Sequence, residues 1–527
     1  MASIRLVARN PDAVREALER GDVLHLDTAS EEITDEFLLF AINSQLLRDW
    51  AEAFPDPRSW SEVSSQVILA SELAARFASI YSQRKSSYIL RSARLLGALG
   101  YSIEVIEPGD GITSRGTSKD QLYSEDILRK MLGKLEQKVE VKDEDRAAAV
   151  AGGAEVKARE RQSRRRVKQP LLDELEAGAR SHAAASKLLD WYNQAVGPSL
   201  LEYAETGRGR RLHILDTTQL EVALETANYE CSGVVKEENG ELKRGYKLAT
   251  LRTLLDTAGI LTQVGLCQIQ THDSKLCGPL LRSRAVLREG DLLLMDRGLL
   301  DGATITHLKQ ERKVDVIIPL RSDMLSYKEA VELAEMKGKW EPHPSRADQQ
   351  MTRVEAIEHV WEECLVELNS CVIRYYNKKK RKLDYIVLAT TDVSMSGSWI
   401  IRHYEERPEI EADYQQLKSG GWMLKKLTST RYSQIAFYLL TVVLSYSLYQ
   451  LFANTQAGSR FAKKTRQAIA FEQMKTHRTH VIVYAGGYFE IFETLSFVHL
   501  VLALSSEVQG RLRHWLEEHL PQLAKRE

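Results

Sequence analysis

The chain has 527 residues, of which 43% are hydrophobic and 28% are charged, and its formal net charge is −1 at pH 7. This length and composition predict a globular protein with roughly three or four domains and a sizeable core. The 5 cysteines form no CxxC motif and no Cys/His cluster, which argues against a disulfide framework or a zinc site and indicates a reduced, cytoplasmic protein. The amino terminus has no apolar segment of the signal-peptide type.

The first part of the chain is predicted to be helical. Residues 1–135 are predicted to form an N-terminal helical domain, because apolar residues recur at helical intervals, for example over residues 65–81. Residues 136–170 are charged and rich in alanine and glycine, and they lack an apolar stripe. They are interpreted as a linker or an exposed helical arm. Helical periodicity resumes over residues 171–201.

Two apolar runs of strand character then end in an aspartate, one at Asp216 and the other at Asp296. Between them, residues 245–255 and 260–270 are predicted to be the strands of a hairpin, joined by turn-forming residues 256–259. An aspartate after an apolar run is most often a turn residue or a helix cap. Neither acid therefore indicates a function by itself.

A later segment places four functional groups on one predicted helical face. These are an aromatic hydroxyl, a guanidinium, a carboxylate and an ammonium, in Tyr404, Arg407, Glu411 and Lys418. Charged stripes of this kind are commonly solvated helix faces. Combined with the two upstream acids, however, Glu411 completes the three carboxylates that two-metal phosphoryl transfer on a ribonuclease H-like fold requires.

The spacing Tyr-x2-Arg-x3-Glu-x6-Lys of these four residues resembles the signature of the IS4-type (Tn5-like) DDE transposases of bacterial insertion sequences. The resemblance spans roughly residues 205–455 and includes Asp216 as the first acid and Asp296, in an Asp-Arg-Gly context, as the second. In this chain Asp296 is followed by Arg-Gly-Leu-Leu-Asp, whereas some relatives carry an Asp-Arg-Glu-Ala-Asp run at this position. The resemblance therefore assigns no role to Asp301.

The resemblance implies an α/β fold: a ribonuclease H-like mixed-sheet core with a largely β insertion, an N-terminal helical domain and C-terminal helices. The catalytic core is expected in two parts, residues 171–320 and 399–455, separated by a β-rich insertion over residues 321–398. Long insertions are tolerated thermodynamically and often carry function. Residues 456–527 are expected to be a C-terminal helical region and a candidate for dimerisation, while residues 1–135 are a candidate DNA-end-binding domain or a plain packing domain.

The resemblance also implies roles for individual residues. Asp216, Asp296 and Glu411 are implied to be catalytic and to hold two Mg2+ ions, with Mn2+ as a substitute. The residues implied to contact DNA are Tyr404, Arg407, Lys418, Arg297 and Trp340. Of these, Trp340 is implied to stack on a base flipped out of the duplex. Simple packing is the alternative for Trp340, as it is for Trp361.

Contact with DNA requires local positive charge, because the chain as a whole carries a net charge of −1. Residues 157–168 have seven basic residues and one acidic residue, and residues 374–382 have six basic residues and no acidic one. Each run is interpreted either as a DNA contact or as a solvated loop or helix face.

The uncharged run at residues 435–452 is close in length to a membrane span. We interpret it as a buried core helix, because it contains several hydroxyl side chains and follows the predicted catalytic helix directly. No association with a membrane is expected.

Together these implications predict a transposase that binds the ends of an insertion sequence and catalyses metal-dependent phosphodiester cleavage and strand transfer by a cut-and-paste route. The predicted partners are double-stranded DNA, as element ends and as target, and a second copy of the chain in the synaptic complex. Two alternatives stay open. One is a ribonuclease H-like DNA nuclease without strand transfer, and the other is a non-catalytic DNA-binding derivative of a transposase.

Overall fold

The fold is taken from a computed structural model, which describes residues 8–23, 25–30, 33–90, 93–100, 123–150, 172–204, 209–224, 229–237, 239–255, 259–358, 361–459, 479–486 and 488–519. The basic run at residues 157–168 lies outside the described residues. The basic run at residues 374–382 lies within them.

The N-terminal region is built mainly from helices. Its elements are β1 (Ala8–Arg9), α1 (Pro11–Arg20), β2 (His25–Ser30), α2 (Ile33–Asn43), α3 (Leu46–Ala53), α4 (Ser65–Phe77), α5 (Ala93–Ala98) and α6 (Ile127–Lys138). The limits of α1 follow from its sequence, since Asn10 caps the first turn, Pro11 starts it and Gly21, with φ of 75°, ends it. Helix α4 confirms the helix predicted within residues 65–81, and its residues 67–77 are all buried.

Two helices, α7 (Leu172–Trp191) and α8 (Gly197–Ala204), are joined by a π-helical turn and lead into the core. The core consists of β3 (Leu212–Val222), β4 (Gly233–Lys236), β5 (Leu242–Leu254), β6 (Gly259–Gln268), α9 (Asp273–Arg282), β7 (Leu292–Met295), α10 (Gly302–Gln310) and β8 (Asp315–Pro319).

Five of these strands form a mixed sheet in the order β6-β5-β3-β7-β8. Strand β5 is antiparallel to both β3 and β6, whereas β3, β7 and β8 are parallel to one another. The mixed sheet flanked by helices is consistent with the ribonuclease H-like fold expected from the sequence. The predicted hairpin is confirmed as β5 and β6, although the turn residues 256–258 lie outside the described part of the chain.

The insertion extends the core sheet. It comprises α11 (Leu325–Lys337), β9 (Glu341–Pro342), β10 (Gln349–Val354), β11 (Asn369–Asn377) and β12 (Lys382–Thr390). Strand β12 pairs antiparallel with β8, so that core and insertion share one sheet of 10 strands. The four strands are preceded by the 13-residue helix α11.

The chain returns to the core through α12 (Gly397–Tyr404), α13 (Pro408–Ser419), α14 (Tyr432–Ala453) and α15 (Gln456–Ser459). Helix α14 packs against β6, α7 and α4. Among the described residues it is the one helix long and apolar enough to cross a membrane, and 94% of its most apolar window is buried inside the protein. This burial supports the interpretation of residues 435–452 as a core helix.

The last described segment contains β13 (Thr479–Ala485), β14 (Tyr488–Glu493), α16 (Thr494–Leu502) and α17 (Ser506–His519). Its two strands form a four-stranded sheet with the N-terminal strands, in the order β1-β14-β13-β2. The prediction that both terminal regions are helical is therefore wrong for these strands. The reason is a period-two pattern of branched residues, in which Val481 and Val483 are buried against Val14 and Leu18 of α1. The predicted domain boundaries stay predictions.

Candidate active site

The register of the parallel strands places two acids side by side. Leu215 of β3 is paired with Met295 of β7, and Asp216 and Asp296 are the next residues on these neighbouring strands. All four residues of β7 are buried, so an apolar strand carries Asp296 to the sheet edge. Asp216 was predicted to end its strand, but β3 continues to Val222. Asp216 lies instead where β3 separates from β7, which is a comparable opening in the sheet.

The third acid, Glu411, lies in the first turn of α13, and this helix is tied to the strand that carries Asp216. The Tyr414 hydroxyl donates a hydrogen bond to the backbone carbonyl of Asp216 at 2.8 Å. The Thr250 hydroxyl of β5 lies 2.8 Å from the same tyrosine oxygen. Because the tyrosine proton is already used on Asp216, Thr250 donates to Tyr414. One buried phenol thus fixes α13 to both β3 and β5.

A buried ion pair fixes the rotation of α13 as well. The Arg252 Nε of β5 lies 2.6 Å from Asp413 Oδ2, and the two side chains are only 8% and 7% exposed. The Tyr446 hydroxyl of α14 donates to the other oxygen of Asp413 at 2.7 Å. The guanidinium fits because residue 259 is glycine, since a Cβ at Gly259 would stand 2.2 Å from Arg252 Cζ. The acid two residues after Glu411 therefore has a structural role.

Arg407 links the three predicted catalytic acids. Its Nη2 lies 3.3 Å from Asp216 Oδ2 and 3.6 Å from Asp296 Oδ1. Its Nη1 lies 2.6 Å from Glu411 Oε1, and only 15% of the arginine side chain is exposed. The structure thus brings Asp216, Asp296 and Glu411 together around a single guanidinium. Arg407 was expected to bind phosphate, and in the structure it balances the charge of the acids.

The chemistry of this cluster fits a divalent cation. Carboxylate oxygens are the donors that hard cations such as Mg2+ prefer, and the Arg407 guanidinium is a cation standing among them. In the described part of the chain, no three acidic, histidine or cysteine side chains are already arranged to hold a metal ion. The three carboxylates instead surround a planar group larger than a metal ion, with Asp296 and Glu411 39% and 58% exposed. These two side chains have room to reorient.

Burial controls the protonation of the site. The pKa of Asp216 is raised to about 6, chiefly by burial and further by the charges of Asp296 and Glu411, while the Thr217 amide and Arg407 oppose this rise. Burial also raises the pKa of the Tyr404 hydroxyl, which therefore stays protonated and can donate a hydrogen bond.

The predicted helical face of Tyr404, Arg407, Glu411 and Lys418 is divided between two helices. Helix α12 ends at Tyr404 and α13 begins at Pro408, so the prediction of one continuous helical face is wrong. Proline at position 408 has no amide hydrogen and its ring clashes with the preceding turn, so it starts a new helix rather than continuing α12. Lys418 still reaches the site, because its ammonium donates to the Thr218 hydroxyl, two residues beyond Asp216 on the same face of β3.

The remaining predicted DNA contacts differ in their surroundings. Arg297 is exposed in a 3-10 turn directly after Asp296. Trp340 is half-buried and packs against the core, as does Trp361. The Arg374 guanidinium carbon lies 3.9 Å from the centre of the Trp340 ring, so one ring face is already covered. Stacking of Trp340 on a flipped base stays a prediction.

A fourth acid was missed in the sequence. Asp273 lies in the first turn of α9, and its Oδ2 and the Oδ2 of Asp296 both lie within 4.0 Å of the point where a Cβ on Gly298 would stand. Lys247 balances its charge, with Nζ 2.7 Å from Asp273 Oδ1. The signal was available in the sequence, because Asp273 follows the predicted strand at residues 260–270, much as Asp216 and Asp296 follow apolar runs. Asp301, by contrast, lies at the N-cap of α10.

Comparison with known proteins agrees with this geometry. Residues 207–448 match the family model described as a transposase DDE domain, which covers slightly less than half of the chain and contains all three acids. No curated protein matches the chain. The match supports a DDE transposase, a class of enzyme that transfers phosphoryl groups on DNA and generally uses divalent metal ions.

Proposed function

From the transposase DDE domain matched at residues 207–448, we propose that this protein is a cut-and-paste DNA transposase of the IS4 type. It binds the ends of an insertion sequence, cleaves them and joins them to target DNA. The observation that carries the proposal is the meeting of Asp216, Asp296 and Glu411 around the Arg407 guanidinium. Acids from two strands and one helix have no structural need to converge on one cation at a sheet edge.

Asp216, Asp296 and Glu411 hold two divalent ions, most naturally Mg2+. When bound there, the ions would supply Lewis acidity towards an oxygen nucleophile and towards the leaving oxygen of the phosphodiester. The chain holds the acids ready for this role through fixed elements. The bond from Tyr414 to the Asp216 carbonyl and the Arg252–Asp413 ion pair set the position of Glu411 relative to β3.

The remaining side chains of the motif position the DNA. The Tyr404 hydroxyl, protonated because burial raises its pKa, donates to a phosphate oxygen and carries no sequence information. Arg407 has the planar fork that binds phosphate oxygens in pairs, and Lys418 acts as a point charge. Arg297, exposed beside Asp296, adds a further positive charge at the entrance of the site. Synapsis of two DNA ends requires at least a homodimer in the complex.

The test incubates the purified protein with the terminal sequences of its own element and Mg2+, and assays both end cleavage and joining to a target plasmid. Asp216→Asn, Asp296→Asn and Glu411→Gln each should abolish both reactions. Glu406→Gln removes an exposed acid from the turn between α12 and α13 and is the matched control that should retain them.

Each outcome of this assay has a definite meaning. Cleavage without joining would identify a nuclease instead of a transposase. DNA binding without either reaction would identify a non-catalytic derivative. Cleavage that survives all three acid substitutions would refute the proposed metal site.

A further inference from the structure

The hairpin between β11 and β12 carries a dense positive charge at its tip. Five consecutive basic residues, 378–382, are all exposed there, and Asn377 pairs with Lys382 at the base of the turn. Asp384 neutralises only Lys380, with a separation of 2.8 Å. The other four basic residues form no ion pair with any described residue. A protein with a net charge of −1 therefore concentrates uncompensated positive charge at this turn.

Hydrogen bonds of Asn377 stabilise the turn. The amides of Lys379 and Lys380 both donate to the side-chain oxygen of Asn377 at 3.1 Å. The side-chain Nδ2 of Asn377 in turn donates to Asp384 Oδ2 at 3.0 Å. The hairpin ladder is continuous from Asn369↔Thr390 to the tip. The basic residues 378–382 are thus held at the end of a hydrogen-bonded hairpin.

The sheet register shows where this hairpin points. Asp216 and Asp296 are neighbours on β3 and β7, and Leu294 of β7 is paired with Ile317 of β8. Two residues further on in each strand, Pro319 lies level with Asp296, and Pro319 is paired with Leu388 of β12. Asp216, Asp296 and Leu388 therefore lie in one row across the sheet. Strand β12 is antiparallel to β8, so its start at Lys382 extends past the carboxyl edge where the acids lie.

Strand geometry gives the reach of the hairpin. Six residues separate Leu388 from Lys382, and at about 3.3 Å per residue the tip stands roughly 20 Å beyond the row of acids. Three strand spacings of about 4.8 Å separate β12 from β3, or roughly 14 Å sideways. The tip is then about 25 Å from Asp216, a distance that corresponds to about seven base pairs of duplex at about 3.4 Å per step.

We propose that residues 377–383 form a DNA-binding arm, which contacts the phosphates of duplex DNA about seven base pairs from the scissile bond. The arm rests on the proposed function, since it needs DNA to be held at the three acids. Lysine-rich tips of this kind bind phosphate as point charges and contribute affinity without reading sequence. The exposed Tyr376 and Leu383 are paired directly across the hairpin and offer apolar contact to deoxyribose beside the charges.

The test measures DNA affinity against salt concentration with the full-length protein in the absence of divalent ions. The variant K378Q/K379Q/K382Q removes three charges and leaves the Lys380–Asp384 pair and the turn intact. On a 40-base-pair duplex centred on the scissile bond, the slope of log K against log salt should fall by about 2 to 3, because each lost phosphate contact is worth about 0.9. On a duplex that extends only four base pairs to either side, the variant and the wild type should show the same slope.

The matched control is R282Q/R284Q/K313Q, which removes three exposed charges at the opposite, amino-terminal edge of β7 and β8. Its slope should equal that of the wild type on both duplexes. If binding of the wild type depends steeply on salt concentration and the hairpin variant keeps the same slope on the long duplex, the DNA-binding arm is refuted and the transposase proposal stands. If the wild type binds neither duplex, the proposed function itself fails.

Discussion

Replacing Arg407 by glutamine should have opposite effects on the metal-free protein and on its affinity for metal. In the structure the guanidinium contacts Asp216, Asp296 and Glu411 at 2.6 to 3.6 Å. Without it, the three carboxylates lose the one cation that contacts all of them. The same guanidinium occupies the oxygens that are proposed to bind divalent ions. Arg407→Gln should therefore lower the stability of the metal-free protein and tighten its binding of Mg2+.

The solvent exposure of the three carboxylates determines how much stability is lost and how much metal affinity is gained. Asp216 is 16% exposed, but Asp296 and Glu411 are 39% and 58% exposed, so water screens two of the three contacts. We therefore expect a loss of about 1 to 2 kcal/mol, below the range of about 3 to 5 kcal/mol for breaking a fully buried pair. By linkage, metal affinity should rise by about 5-fold to 30-fold, since about 1.4 kcal/mol corresponds to a factor of ten.

The assay is thermal unfolding in a chelator and in Mg2+, combined with titration of Mn2+ by electron paramagnetic resonance at pH 8.5. This pH keeps Asp216 ionised in spite of a pKa raised to about 6. Arg402→Gln is the control, because it removes an exposed arginine from the neighbouring helix α12. Equal or weaker metal affinity in Arg407→Gln would show that the guanidinium does not hold the metal-binding oxygens.

Three further predictions concern the supports of the site. Tyr414→Phe should cost about 1 to 3 kcal/mol by leaving the Asp216 carbonyl unpaired, and it should weaken Mn2+ binding, whereas Tyr376→Phe on the exposed hairpin should change neither; unchanged metal binding in Tyr414→Phe would contradict the link between α13 and β3. Asp413→Asn should lower the free energy of unfolding in urea by about 2 to 3 kcal/mol, because Arg252 then keeps only the half-exposed Glu409, 3.4 Å away, as an ion-pair partner; a loss below about 0.5 kcal/mol would mean that Glu409 or water compensates the arginine. Although burial opposes it, hydrogen bonds from His213 and Arg211 hold the pKa of Asp291 at about 2, so its stabilising contribution is present above its unfolded pKa of about 3.9 and is lost as the pH falls towards 2. Chemical denaturation between pH 5 and pH 2 should therefore show a shallower loss of stability in Asp291→Asn than in the wild type, and parallel curves would refute this assignment.

Local sequence signals were sufficient to predict the parts of the site that depend on single elements. Asp296 follows four apolar residues, a run typical of a short buried strand, and Glu411 lies at helical spacing from Lys418. The β5–β6 hairpin was equally predictable, because two apolar runs flank a turn-forming segment. In each case one stretch of chain contains the whole pattern.

The sequence could not show contacts that depend on the assembled fold. The Arg252–Asp413 pair joins residues separated by 161 positions in the sequence, and each residue alone resembles an ordinary surface charge. Pairing of the C-terminal strands with β1 and β2 likewise depends on segments at opposite ends of the chain. Pro408 indicates the break between α12 and α13, because proline starts a helix more readily than it continues one. The regular spacing of Tyr404, Arg407, Glu411 and Lys418 nevertheless favoured one continuous helix.

Affinity cleavage by a bound metal ion shows whether Asp216, Asp296 and Glu411 form one metal site. Fe2+ is loaded in place of Mg2+, and ascorbate with peroxide then produces hydroxyl radicals that cut the chain next to the bound ion. We expect cuts around residues 216, 296 and 411 that excess Mg2+ suppresses and that Glu411→Gln weakens at all three places. Cuts elsewhere, or none near these three residues, would contradict it.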